Sequence, residues 1–496
     1  MHRPAALPSA VLLSLHSRQA WATGLVLAFP LLSLVTGFGI GLAGFLFLFT
    51  ACLWWRACGK ALRAHWPQTR WVLLALLLHL AWLAWLAFGS GRARGANTLD
   101  APARMCIAGA AMLVVQAGRP ALRALWLGAA GGALLGAAFV AWQRLALGME
   151  RPGGLLNPIT FGDLSLCLAL LALVGTIDAG AVPPTAAQAR KGAPAMRWTA
   201  AAGIVAGLAA SLLTGSRGGW LALPAAFILL AVLARRLALP RRLVLGVPLL
   251  ACALALGAYA VPQTGVRARV AVGISDVRLY LAGSPLPTSI GVRLDLWKAG
   301  LRLAAEHPWT GIDTPAYKRR MRAWVAAGAL SPAVFAPPEP PHLHNDALQA
   351  LVTRGIPGLF AWSAILLAPF LFFRKQLART DTYAEAGSQR RAAALAGMLV
   401  VLAYAAFGLS EVIFWSMKAS LFYALLVFLL MGWCLAGADE AGEANKGADK
   451  DAHKGAAKGV DEGRDKGVHE GAAGARADAA RGRADQARPG PVPADT

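Results

Sequence analysis

Apolar residues fall in long runs along most of this chain, and polar residues collect in the gaps between them. A helix needs about twenty apolar residues to cross a hydrocarbon core. Twelve stretches approach or reach that length: 21–38, 41–55, 71–88, 101–115, 121–142, 159–177, 198–213, 219–234, 243–261, 357–373, 392–409 and 413–435. Inside a bilayer backbone polar groups must be satisfied within the segment, so runs of this kind become helices. The expected fold is therefore all-α, a polytopic membrane protein with about 12 transmembrane helices. A long polar stretch, 262–356, separates nine spans (21–261) from three (357–437), with segments 1–20 and 438–496 at the ends. No cleavable signal peptide is expected, because the first apolar run has spanning length and no small-residue cleavage site.

Within the long stretch the polar pattern changes period. From Ser289 to Glu306, Leu294, Trp297, Leu301 and Ala304 form an apolar stripe opposite Asp295, Lys298, Arg302 and Glu306. That is the pattern of an amphipathic helix lying at a membrane surface, with Arg293 at the edge of its stripe. Lys318, Arg319, Arg320 and Arg322 cluster near Trp324 and suit either lipid phosphates or a solvated face. A stiff Ala-Pro-Pro-Glu-Pro-Pro lead (336–341) then delivers His342 and His344. Asn345 reads as a helix N-cap with Asp346 in the first turn, and Leu348, Leu351 and Val352 recur at helical spacing. Gly355 ends this helix and Pro357 opens the next. His344 thus stands at a helix mouth, which disfavours the imidazolium and keeps the ring able to accept a proton.

Composition agrees with the pattern: 57% of residues are hydrophobic and 15% charged, too apolar for a soluble chain of this length. The six cysteines lie in or beside spans, so neither a disulfide framework nor a zinc spacing is implied. A net charge of +23 is first a matter of topology, because cytoplasmic loops gather Lys and Arg. With the N-terminus inside, the basic residues of 56–70, 119–123, 190–197, 235–242 and 374–391 all fall on the cytoplasmic side, and the C-terminus is cytoplasmic too. No aromatic residues interleave a basic groove, so nucleic acid is not an expected partner. The exceptions on the outer side are Arg92, Arg94, Arg144, Arg151 and Arg217. Arg217 sits in a very short turn beside Gly215, Gly218 and Gly219, where a cation without an acid nearby invites an external anion. The stretch 438–496, rich in Ala, Gly, Lys, Asp, Glu and Arg, reads as a disordered cytoplasmic tail. Its Asp449-Lys-Asp451 is a chance match to a metal motif, and no metal site is expected.

Four separated segments together resemble the O-antigen ligase and polymerase superfamily of bacterial envelope enzymes. They are Asn157-Pro-Ile-Thr-Phe-Gly-Asp163, Leu213-Thr-Gly-Ser-Arg-Gly-Gly-Trp-Leu-Ala-Leu223, Gly291-Val-Arg-Leu-Asp-Leu-Trp297 running on to Glu306-His-Pro-Trp-Thr-Gly-Ile-Asp313, and His344-Asn345 followed after nine residues by Gly355-Ile-Pro-Gly358. One departure stands out: Gly311-Ile-Asp313 replaces the family's usual Gly-Ile-Gly or Gly-Val-Gly. The resemblance implies a GT-C-like glycosyltransferase of the bacterial inner membrane. Its implied catalytic residue is His344, with Arg217 and Arg293 binding the diphosphate of an undecaprenyl-linked glycan donor at the periplasmic face. Lipid A–core is the implied acceptor, membrane lipids surround the protein, and no cofactor or metal is implied. A lipid-diphosphate leaving group needs charge neutralisation, which two guanidiniums supply, and a sugar hydroxyl needs a base that titrates near neutrality. His342, Asn345 and Asp163 are possible supporting residues, and His342 could either orient the acceptor or stand in for His344. Rivals within the fold are an O-antigen polymerase and a protein O-oligosaccharyltransferase, and a more distant one is a transporter or flippase. A transporter is expected to carry its ionisable groups near the midplane in two related halves, a pattern not visible here.

Overall fold

The computed structural model describes residues 9–89, 99–180, 187–237, 239, 241–282, 288–335, 342–379 and 384–436. The expectations for Arg92, Arg94, the Pro-rich lead 336–341 and the tail 438–496 lie outside these residues. Every regular element among those described is helical. In order they are α1 (Ser9–Leu32), α2 (Gly39–Leu53), α3 (Trp55–Ala84), α4 (Asp100–Ile107), α5 (Gly109–Gly118), α6 (Leu122–Leu145), α7 (Pro158–Gly180) and α8 (Ala187–Thr214). There follow α9 (Ala222–Leu233), α10 (Arg241–Ala260), α11 (Val266–Leu281), α12 (Ser289–Glu306), α13 (Thr314–Ala326), α14 (Asp346–Ala378) and α15 (Ala384–Phe407). The last is α16 (Met417–Ala436).

Among the described residues, eight segments are long and apolar enough to cross a membrane by length and composition: α3 with the π turn that ends it, α4 with α5, α6, α7, α8, α14, α15 and α16. The stretches Gly39–Leu53, Gly218–Leu233 and Leu245–Ala260 are apolar but shorter, and α1 takes the place of the first expected span. The chain is an all-helical, multi-pass membrane protein. Helix α3 begins sixteen residues before the apolar run at 71–88 and runs through Pro67, so packing carries it across a residue that disfavours a helix interior.

The spans form two shells. About 89% of the α7 window, 83% of α15 and 94% of α16 is buried, against 33% of α3, so the first three are central and α3 presents its leucines and tryptophans outward. The outward set includes Trp55, Trp71 and Leu78, which suits a lipid-facing surface.

A second, smaller core lies over one end of the bundle. Leu296, Ala299 and Leu303 of α12 pack with Ile312, Tyr317, Met321, Val334, Leu343 and Val352. The buried face of α12 only partly follows the stripe expected from sequence: Ala304 is buried and Trp297 partly so, but Leu301 is exposed and Leu294 only partly covered. The cause is the partner. The face that carries Leu296, Gly300 and Leu303 meets the chain around Leu343 and Val352, not lipid. In the basic cluster, Arg320 pairs with Glu306 at 2.9 Å and lies over Trp324.

Two glycines lock this layer to α14. Gly355 has φ +71, and a methyl group there would fall 2.3 Å from Trp309 O. Gly311 has φ +62 and lies equally close to the backbone of residues 352–354. Side chains are excluded at both positions, by conformation and by space. The approach lets Ile312 N–H donate to Val352 O (2.8 Å) and Ile356 N–H donate to Pro308 O (2.7 Å). Gly355 breaks α14 in two, as the sequence pattern predicts. Asp313, where the family motif has glycine, caps α13 by accepting from Ala316 N–H at 2.7 Å.

Candidate active site

The segment 342–345 is held from both sides. Leu343 is fully buried, its N–H donates to Gln349 Oε1 (2.9 Å), and its carbonyl accepts from Trp297 Nε1–H (2.7 Å). Asn345 is the N-cap of α14, accepting from Leu348 N–H at 2.9 Å while its amide reaches Leu409 O. Asp346 N–H donates to Gly408 O (2.8 Å), which docks the start of α14 on the 408–416 turn. The Asp346 carboxyl is buried there and accepts from Phe414 N–H (3.4 Å). Between two fixed neighbours His344 adopts φ +48, and it shares a positive φ only with Arg119 among the described non-glycine residues. A side chain in that region costs about 1–2 kcal/mol, so the surrounding bonds impose the conformation that aims the ring.

The ring meets a carboxylate that sequence reading missed. Glu411 Oε2 accepts from His344 Nδ1–H at 3.2 Å, and Oε1 accepts from His342 Nε2–H at 3.3 Å and from Val412 N–H at 3.2 Å. Glu411 lies 67 positions away in sequence and arrives through the turn between α15 and α16. Tyr404 and Ser420 brace that turn by donating to Ala419 O and Phe414 O, both at 2.8 Å.

Hydrogen bonding separates the two histidines. His342 Nδ1 accepts the backbone N–H of His344 (3.4 Å), so its proton is on Nε2, facing Glu411, and both nitrogens are engaged. His344 gives Nδ1–H to Glu411, which leaves Nε2 with its lone pair and no protein partner among the described residues. The rings stand edge to face with centroids 4.0 Å apart. Burial raises the Glu411 pKa, but the His344 hydrogen bond and the two imidazoles outweigh it and hold the carboxyl below its ordinary value. Burial, with the neighbouring His344 and Arg293, pushes His342 down against the pull of Glu411. Both directions agree with an ionised carboxylate beside a neutral His342 ring.

These groups open on a cavity of about 840 Å³. Its walls are the start of α7 (Asn157 to Thr160), the α12 face with Val292 and Arg293, the two histidines, and the 411–418 turn; Arg151 also lines it. Arg293 is half-buried, and neither a hydrogen bond nor an ion pair engages its guanidinium among the described residues. Burial lowers its pKa, Glu411 opposes that, and Arg217 and Arg151 reinforce it. Arg217 does not line the cavity. It is exposed on the adjoining turn, where its guanidinium donates to Arg269 O at 2.9 Å. Arg269, another residue not singled out from sequence, donates to Thr214 O (3.2 Å) and to Glu150 O. Arg144, Arg151 and Arg217 all act on Arg269, so cations gather beside the cavity around one acid, Glu150. Asp163 is off the cavity as well. It is 1% exposed, neither oxygen has a hydrogen-bond partner among the described residues, and Gly219 packs against its Oδ1.

The ligating atoms of His342, His344 and Glu411 lie within 4.8 Å of one another, near enough to share a metal ion. The hydrogen bonds argue against that: an ion on His342 Nε2 would force the proton to Nδ1, which accepts the His344 N–H, and would displace both imidazole–carboxylate contacts.

Residues 202–363 match the family described as O-antigen ligase, so the superfamily resemblance read from the motifs is borne out over that third of the chain. The chain is also similar to an uncharacterized protein of Haemophilus influenzae, 25% identical over 245 residues, or 49% of this chain and 58% of that protein. The family match supports glycan transfer of the O-antigen ligase or polymerase type. The matched region takes in Arg217, Arg293, His342, His344 and Asn345, but Asp163 and Glu411 fall outside it.

Proposed function

We propose that this protein is an O-antigen ligase, moving a preassembled glycan from undecaprenyl diphosphate to lipid A–core at the periplasmic face of the bacterial inner membrane. The observation that carries this reading is the His344–Glu411 pair opening on the same cavity as the unengaged guanidinium of Arg293. In the reaction, His344 Nε2 takes the proton of the acceptor hydroxyl as its oxygen attacks the anomeric carbon. The bond from that carbon to the diphosphate oxygen breaks, and the electron pair leaves with the lipid diphosphate. Glu411 holds Nδ1–H, which fixes the tautomer, and it stabilises the imidazolium as it forms. Arg293 in the cavity and Arg217 on the adjoining turn neutralise the departing diphosphate, which needs no protonation. One direct displacement inverts the anomeric carbon. His342, with both nitrogens engaged, positions Glu411 and is not a second base. Asn345 supports the site as the cap that orients His344. The donor supplies the driving force, so no nucleotide is required, and the transfer is read as metal-independent.

The test is reconstitution of purified protein with lipid-linked glycan and lipid A–core in the presence of a chelator. Transfer by the wild type, and its loss in His344→Ala and Arg293→Ala, is the expected outcome. Full glycan attachment restored by His344→Ala or Arg217→Ala in a strain lacking the gene would refute these roles. Deletion of the gene separates the rivals. Free lipid A–core with accumulated lipid-linked polymer indicates a ligase, single-repeat caps a polymerase, and lost glycoprotein an oligosaccharyltransferase.

A further inference from the structure

The cavity has a wall that the transfer chemistry leaves unused. Beyond Glu411 the lining continues through Trp415, Ser416 and Lys418, from the turn into the first residues of α16. Trp415 is 47% exposed, and its ring lies edge-on to His342 with centroids 5.7 Å apart. Lys418 is half-buried, and its ammonium has neither an ion pair nor a hydrogen bond among the described residues. Among the lining residues Glu411 is the lone acid, and both histidines and Val412 already engage it. A half-buried ammonium without a counter-charge is costly unless a ligand supplies one.

The cations around the cavity fall into two sets. Arg217 and Arg151 act on Arg293, and Lys418 is not among the charges that do. Lys418 belongs to another element, and on that wall it stands with an aromatic side chain and a hydroxyl-bearing residue. An indole face beside a reacting group suits the apolar face of a pyranose, and a lysine is a compact point charge for an anion. A tryptophan and a lysine at the start of a span also fit an interfacial anchor. Their place in the cavity lining, and the contact of Trp415 with His342, turn them toward the site instead.

We propose that Trp415 and Lys418 form the acceptor subsite, in which Trp415 stacks on a sugar ring of the acceptor and Lys418 binds an anionic substituent, phosphate or carboxylate, that the acceptor saccharide carries. This rests on the transfer reading above. It adds that the preferred acceptor is acidic near the hydroxyl that reacts.

The experiment uses the full chain in nanodiscs, with lipid A–core as isolated, dephosphorylated, or carboxyl-reduced. Rates are measured against each substrate, and equilibrium binding of lipid A–core is measured in parallel. Lys418→Ala is expected to raise the acceptor KM and its binding constant about ten-fold, with kcat and donor KM unchanged, and Lys418→Arg to restore most of the loss. Removing the relevant anion from the acceptor should weaken the wild type by the same factor and erase its difference from Lys418→Ala. Trp415→Ala should raise the acceptor KM, and Trp415→Phe less so. An unchanged acceptor KM and binding constant in Lys418→Ala would overturn the proposal. So would a rise confined to donor KM, a difference that survives both acceptor treatments, or one that disappears when anionic lipids are omitted from the nanodisc. A wild type that binds lipid A–core through Lys418 without transferring glycan refutes the ligase reading and leaves the subsite standing. One that transfers glycan, with Lys418→Ala unaffected, does the reverse.

Discussion

Replacing Glu411 by glutamine keeps the volume and removes one charge from the centre of the candidate site. The carboxylate accepts three hydrogen bonds, two on Oε1 and one on Oε2. An amide can keep only one side of that arrangement. With its oxygen toward His342 and Val412, its NH2 faces His344 Nδ1, which must then accept, so the proton moves to Nε2 and the base is lost. Turned the other way, the amide serves His344 but sets NH2 against two donors. A hydrogen bond to a charged group contributes about 1.5–3 kcal/mol. At about 1.36 kcal/mol per factor of ten, Glu411→Gln should lower kcat roughly 10- to 150-fold. Donor and acceptor KM should hold within about two-fold, because Glu411 is argued to act on the imidazolium that forms in the transition state. The assay is initial-rate transfer in proteoliposomes at saturating donor and acceptor, across pH 5.5–9, with thermal unfolding as the control for folding. A Glu411→Gln protein with wild-type kcat throughout, or one that loses donor affinity while keeping kcat, would refute the pairing.

Other expectations follow from the same geometry. His342→Gln should retain appreciable activity while His344→Gln should lose roughly 10²–10⁴-fold, as read in the same assay; equal losses would deny their separation. The pKa of His342 is lowered below the ordinary 6.5 and that of Glu411 below 4.5. Each contributes stability that is complete above its ordinary value and is lost as pH falls through its folded value. The thermal midpoint should therefore decline on acidification from about pH 6.5, and His342→Gln should flatten the first part of that decline. Gly355→Ala meets both a φ of +71 and the Trp309 carbonyl; unfolding should begin at a clearly lower temperature than in Gly246→Ala, where there is open space. Leu343→Ala removes a fully buried side chain that anchors the histidine segment. It should cost about 2–5 kcal/mol and lower kcat as well, and an unchanged kcat would show that the anchor is not needed to aim His344.

Patterning by itself determined the helical fold, most of the apolar spans, the cap at Asn345 and the break at Gly355. Each follows from local rules: burial in lipid forces backbone bonds inward, an N-cap needs an oxygen two or three residues before an orphan N–H, and a positive φ favours glycine. Motif chemistry also placed His344, His342 and Arg293 among the candidates, and all three line one cavity. The tertiary structure alone decided the rest. Glu411 was invisible because it sits in a turn between two spans with no motif around it, and only the docking of α14 on that turn makes it a partner of His344. The α12 stripe was legible only in part, Ala304 but not Leu301 being buried, because an amphipathic pattern fixes a face only approximately and the neighbour that covers it decides the rest. Which histidine is the base depended on one backbone N–H reaching His342 Nδ1. Sequence spacing is blind to such a bond, because it forms between groups that only the folded loop brings together.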